Sequence, residues 1–177
     1  MSSREIFNLV VYSNSTLPYV EDKTLKSSTR YRIDWDTLFQ GRNKFYKNCI
    51  VRCHCVGRTV IAVDSVANGI GQISVVGLGY NRSWSPDTAG LVLSDVEVSE
   101  ALPVTSGTGY YINASTLDSV VAPQISPPQG ISSLTVRFTL ATGAPMAEAN
   151  LSHYTLALYF ELTDPIEPVY VVDAPRR

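Results

Sequence analysis

From Ser133 to Ala141, and again from His153 to Leu162, every second residue is apolar: Leu134, Val136, Phe138 and Leu140 in the first run, Tyr154, Leu156, Leu158, Phe160 and Leu162 in the second. A period of two sends alternate side chains to opposite faces of a strand, so each run carries one face built for a core. The same rhythm occurs in Tyr31, Ile33 and Trp35 and in Cys49, Val51, Cys53 and Cys55, and no stretch sustains a helical stripe. These patterns predict an all-β chain, an antiparallel two-sheet β-sandwich with Ile33, Trp35, Val51, Val136, Phe138, Leu156, Leu158 and Phe160 in its core.

Turn chemistry cuts the chain at Asn14 to Thr16, Gly41 to Asn43, Asn68 to Gly71, Ser85 to Asp87, Ser106 to Gly109 and Pro127 to Gly130. Strands are expected near 4–12, 30–35, 44–56, 58–64, 71–80, 90–98, 109–112, 118–122, 133–141 and 153–162. Two sheets of about four strands suit this count, and the long connections at 14–29, 64–71 and 99–109 suit crossovers between them. A single jelly roll is the expected arrangement. An immunoglobulin-like sandwich is the runner-up, disfavoured by the strand count and by the lack of a cysteine pair bracketing a tryptophan. One helical turn is expected at 36–39, capped by Asp34 or Asp36 and ending by Gln40.

A chain of 177 residues buries enough surface for one core. Residues 1–162 are expected to form the sandwich domain. In residues 163–177 three prolines, Pro165, Pro168 and Pro175, break regular structure around the apolar segment Val169 to Val172, which reads as an arm. Charged residues make up only 17% of the chain, against about 25% in ordinary soluble domains, leaving surface suited to contact with other subunits or rich in neutral polar groups. The net charge of −2 and the scattered basic residues argue against nucleic acid as a partner, which needs clustered Lys and Arg. The run Ile6 to Tyr12 is too short and interrupted for the apolar part of an export signal, and nothing approaches the ~20 apolar residues of a membrane span. Production in a cytosol-like compartment is therefore expected, with the sequons at Asn14, Asn81, Asn113 and Asn150 unmodified.

The chemistry-bearing residues are sparse. On a strand Cys49, Cys53 and Cys55 share one face while His54 points the other way, so the four do not converge on one tetrahedral metal, and buried reduced thiols are the better reading. Three cysteines cannot all pair within one chain. His54 and His153 are the two histidines, no Gly-x-Ser-x-Gly elbow is present, and Gly69, Gly71, Gly77 and Gly79 match neither phosphate-loop spacing. Asp95 and Glu97 alternate with Val96 and Val98, as on a solvated strand face. No catalytic residue, metal or cofactor is therefore assigned, and the chain is not expected to be an enzyme. Candidate interaction residues are Trp84, in the segment Tyr80 to Ser85, with Tyr110 and Tyr111, where aromatic rings sit among polar residues as at interfaces and sugar platforms. Val169, Tyr170, Val171, Val172, Arg176 and Arg177 of the arm complete the set, as a segment able to add a strand to a neighbour's sheet.

Two segments carry a family likeness. Tyr31 to Phe39 (YRIDWDTLF) followed by Lys44 to Tyr46, and the late strand His153 to Leu162 (HYTLALYFEL), resemble single jelly-roll minor capsid and penton-type proteins of large icosahedral double-stranded DNA viruses. In that group a strand bearing a Trp-Asp pair leads through a short turn into a long strand, and a late strand of alternating aromatics closes the sandwich. The resemblance covers about two dozen residues and none of 58–130. It implies a virion structural protein made in host cytoplasm, a minor capsid or vertex component whose partners are copies of itself, as in a pentamer, or a major capsid protein. The rival class is a carbohydrate- or receptor-binding sandwich module, the only reading under which a glycan is the partner.

Overall fold

The computed structural model of the chain describes residues 4–13, 20–25, 27–59, 70–78, 84–85, 90–100, 110–118, 122–140, 144–146 and 151–166. Among the described residues eleven strands alternate with little else: β1 (Glu5–Tyr12), β2 (Val20–Leu25), β3 (Ser28–Asp34), β4 (Tyr46–Thr59), β5 (Ile70–Val76), β6 (Trp84–Ser85), β7 (Gly90–Glu100), β8 (Tyr110–Ser115), β9 (Gln124–Ile125), β10 (Ile131–Leu140) and β11 (Leu151–Pro165). The chain is an all-β sandwich of two antiparallel sheets. In the first, β1, β11, β4 and β8 lie side by side, with β9 on the early part of β4; in the second the order is β7, β5, β10, β3, β2, with β6 on β7.

The pairs are nested in sequence. First pairs with last (β1 with β11), then β3 with β10, β4 with β8, and innermost β5 with β7. The two sheets meet in β7: residues 91–97 pair with β5, whereas Val98, Ser99 and Glu100 pair with Ile112, Tyr111 and Tyr110 of β8. The passage between sheets is thus made within β7 by a strand that changes sheets, and residues 101–109 of the expected crossover at 99–109 lie outside the described residues.

Alternation sorts the side chains as the sequence pattern requires. Leu134, Val136 and Phe138 of β10, Leu156, Leu158, Phe160 and Leu162 of β11, and Cys49, Val51, Cys53 and Cys55 of β4 are fully buried between the sheets. At one end of the core Trp35, Phe39 and Phe160 meet at ring separations of 5.5 to 6.2 Å, with Phe7 packing edge-on against Phe39 at 5.3 Å. Trp35 and Phe39 reach this position because the chain turns immediately after β3. Asp34 caps the one-turn helix α1 (Trp35–Leu38), its carboxylate accepting from the Thr37 N–H and hydroxyl, so Trp35 folds inward and donates its indole N–H to Ser132 Oγ at 2.7 Å.

Several expected boundaries are corrected. The break expected between 56 and 58 is absent, for β4 runs unbroken through Gly57. A Cβ there would lie 2.8 Å from the His153 carbonyl oxygen, so glycine permits the close approach of β11 near its bulge between Leu151 and His153. The segment 14–29 is not a plain crossover, since β2 pairs with β3; its sequence VEDKTL lacks apolar alternation, as suits an edge strand protected by charge. Asp118 lies in a turn with Leu117, residues 119–121 of the strand expected at 118–122 lie outside the described residues, and the short β9 follows at 124–125. At the end of the chain β11 continues past Leu162 to Pro165, beside Tyr46.

Candidate interaction surface

The outward face of the first sheet is built from the residues that alternate with the core. Its rows follow the strand register: Tyr12, Thr155, Val56 and Asn113; Val10, Ala157, His54 and Ser115; Asn8, Tyr159 and Arg52; Ile6, Glu161 and Ile50. Ile6 is 66% exposed, Tyr12 52%, Val56 44% and Val10 39%, so apolar side chains stand on the solvent side of the sheet. The signal was present in β1, whose sequence EIFNLVVY is apolar on both faces and not on alternate residues alone. A second exposed apolar spot lies at the sheet's end, where Ile166 donates its N–H to the Phe45 carbonyl at 2.8 Å and both side chains are exposed.

One ion cluster interrupts the face. The Glu161 carboxylate, nearly buried, accepts from Arg52 Nη1 at 2.7 Å and lies 3.4 Å from Arg4 Nη1. Arg52 Nε and His54 Nδ1, both removed from solvent, have no hydrogen-bond partner among the described residues. At the start of β1 the Arg42 guanidinium clamps Glu5, whose carboxylate also accepts from Tyr46 at 3.0 Å; the Arg42 bonds hold Glu5 below the usual carboxylate range. This pair fixes the turn at Arg42–Phe45 against the first strand.

The three thiols lie on the inward face of β4, unpaired and buried, while His54 lies on the outward face, as strand alternation predicts. Burial pushes Cys49 and Cys55 up to about 12, which leaves them protonated and unreactive at neutral pH. Among the described residues no group of three or more His, Cys, Asp or Glu is placed to hold a metal ion, and no helix is long and apolar enough to cross a membrane.

The aromatic candidates are placed by backbone register. Trp84 pairs with Leu91 at the beginning of β7, whereas Tyr110 and Tyr111 pair with Glu100 and Ser99 at its end, with Tyr111 also opposite Arg58. Trp84 is thus in register with the part of β7 that pairs with β5, and Tyr111 with the part beyond its change of sheet, so the register does not make them cross-strand neighbours. All three stand on strands and not in loops. Val169, Tyr170, Val171, Val172, Arg176 and Arg177 lie outside the described residues. Neither a protein-family model nor a curated protein matches the sequence.

Proposed function

We propose that this chain is a virion structural protein, a single jelly-roll minor capsid or vertex (penton) component that assembles with copies of itself and with a major capsid protein. The observation that carries the reading is the nesting of β1·β11, β3·β10, β4·β8 and β5·β7. Such nesting is what results when one long antiparallel hairpin is rolled into two facing sheets, the winding used by viral capsid and lectin domains. Between those two uses, the separation of Trp84 from Tyr111 along β7 speaks against one aromatic sugar platform, and the exposed apolar row Ile6, Val10, Tyr12 and Val56 speaks for a surface that other subunits cover. The segments Tyr31 to Tyr46 and His153 to Leu162, which carry the family resemblance, form β3, α1 and the central strand β11.

The test is to purify particles of the virus that encodes the chain on a density gradient and identify their proteins by mass spectrometry. The reading expects this chain to co-sediment with the particles at a fixed ratio to the major capsid protein. Absence from particles, together with retention of the purified protein on a glycan array that Trp84→Ala or Tyr111→Ala abolishes, would establish the carbohydrate-binding alternative instead.

A further inference from the structure

β1 is the outermost strand of the first sheet, and among the described residues no strand pairs with its free edge. Every other N–H and C=O along that edge points away from β11. Proteins normally protect such edges with charges, prolines or bulges. Here Ile6 to Tyr12 contains no charged residue and no proline, and its register with β11 is unbroken over eight residue pairs. The core is also incomplete at this edge. Phe160 and Leu158 of β11 are fully buried, but their β1 neighbours Phe7 and Leu9 are only partly covered, whereas Val11, opposite Leu156, is buried.

The chain carries a segment of matching chemistry. Val169, Tyr170, Val171 and Val172 are uncharged residues of high strand propensity, bounded by Pro168 on one side and by Asp173 and Pro175 on the other. Added outside β1, alternate residues would extend the cover over Phe7 and Leu9 while the others continued the apolar row of Ile6 and Val10. Reach decides which chain supplies it. The last β11 residue opposite β1 is Leu162, paired with Glu5, and the described chain ends at Ile166, held at Phe45. Ile166 therefore lies about 13 Å beyond Glu5 along the strand direction, and the free edge of β1 is two strand spacings, about 10 Å, to the side. Val169 would have to travel about 20 Å to stand beside Ile6, but three residue steps span about 11 Å at most.

We propose that the edge of β1 is a docking site for residues 169–172 of a second copy of this chain, which add a strand to its sheet. The inference deepens the self-association in the function proposed above and does not need the virion. It is tested with purified full-length protein by placing one cysteine on each partner, Asn8→Cys in one preparation and Val171→Cys in another, the residue that stands beside Asn8 on the outward face when Val169 stands beside Ile6, and oxidising the mixture. The native Cys49, Cys53 and Cys55 are fully buried and contribute no cross-link. The expected product is a disulfide-linked pair containing one chain of each kind, with oligomers seen by light scattering lost when the chain is ended at Ile166 or carries Val10→Lys, while both variants keep the far-ultraviolet spectrum of a folded β-protein and a cooperative thermal transition. The proposal is overturned if the wild-type protein is monomeric at every concentration, if the mixture yields no mixed pair, if Asn8→Cys links only to itself, or if the chain ended at Ile166 still oligomerises. Co-sedimentation with particles is an independent readout, so either idea can fail while the other stands.

Discussion

Tyr31 and Tyr154 join the two sheets through their phenolic oxygens, which lie 3.0 Å apart in the buried core between residues 123 positions apart in sequence. Tyr31 stands on β3 and Tyr154 on β11. The Tyr31 hydroxyl also lies 3.4 Å from the Tyr12 carbonyl, and the Thr29 side chain bonds to both phenols, so either hydroxyl can donate within the pair. Burial raises the pKa of both phenols, so the pair stays neutral above the ordinary tyrosine value. Each hydroxyl keeps a partner when the other is removed, so Tyr31→Phe and Tyr154→Phe should each cost about 1 kcal/mol, with the double variant costing less than their sum. Equilibrium urea unfolding of the four proteins checks this, and strict additivity would show that the two hydroxyls do not couple.

Phe160 contacts Trp35 and Phe39 edge-on at 5.6 and 5.5 Å and is fully buried. Phe160→Ala should destabilise the fold by about 3–5 kcal/mol through lost burial and the cavity left among rings that cannot close over it. Phe138, packed on Tyr154 at 4.6 Å, should respond alike. A loss below about 1 kcal/mol in urea unfolding would mean that the site collapses freely.

Stability should fall on the alkaline side. Cys49 and Cys55 rise from the ordinary thiol value 9.0 to about 12 when folded, chiefly by desolvation. Between those values the unfolded chain has released protons that the folded chain still binds, so each pH unit favours unfolding by up to ~1.4 kcal/mol per thiol. This contribution is fully present below pH 9 and is lost as pH rises toward 12. A thiol reagent at pH 8 should find three unreactive thiols in the native protein and three reactive ones in urea, and rapid native labelling would contradict their burial.

Gly77 closes β5 with φ +106°, and a Cβ built there would lie 2.2 Å from the Ser133 carbonyl oxygen on β10. The contact is with backbone, so relief requires the two strands to part. Gly77→Ala should cost more than ~2 kcal/mol, whereas Gly130→Ala, with φ +64° but open space around its Cβ, should cost about 1 kcal/mol. Thermal unfolding of the two variants side by side separates steric conflict from backbone strain alone.

Much of the fold was legible in the chain because a strand with one buried face writes its own period. The alternation at 133–141 and 153–162 located β10 and β11 and identified Val136, Phe138, Leu156, Leu158 and Phe160 as core. The three thiols were assigned to one face of β4 for the same reason, and Asp34 capped the predicted turn because its carboxylate sits one residue before the first helical N–H groups. The strand β2, whose sequence VEDKTL has no apolar alternation, and the continuity of β4 through Gly57, which has no side chain to mark a face, escaped the pattern.

What the sequence by itself determined is local: which residues turn inward, where turns fall, and which segments are too apolar on both faces to be left in water. Tertiary structure alone decided which strands are neighbours. Pairing is set by backbone hydrogen bonds whose donors and acceptors are the same in every residue, so nothing in EIFNLVVY names β11 as its partner or leaves its other edge without a partner among the described residues. The surface of Ile6, Val10, Tyr12 and Val56, and the separation of Trp84 from Tyr111, likewise arise only once registers across strands distant in the chain are fixed.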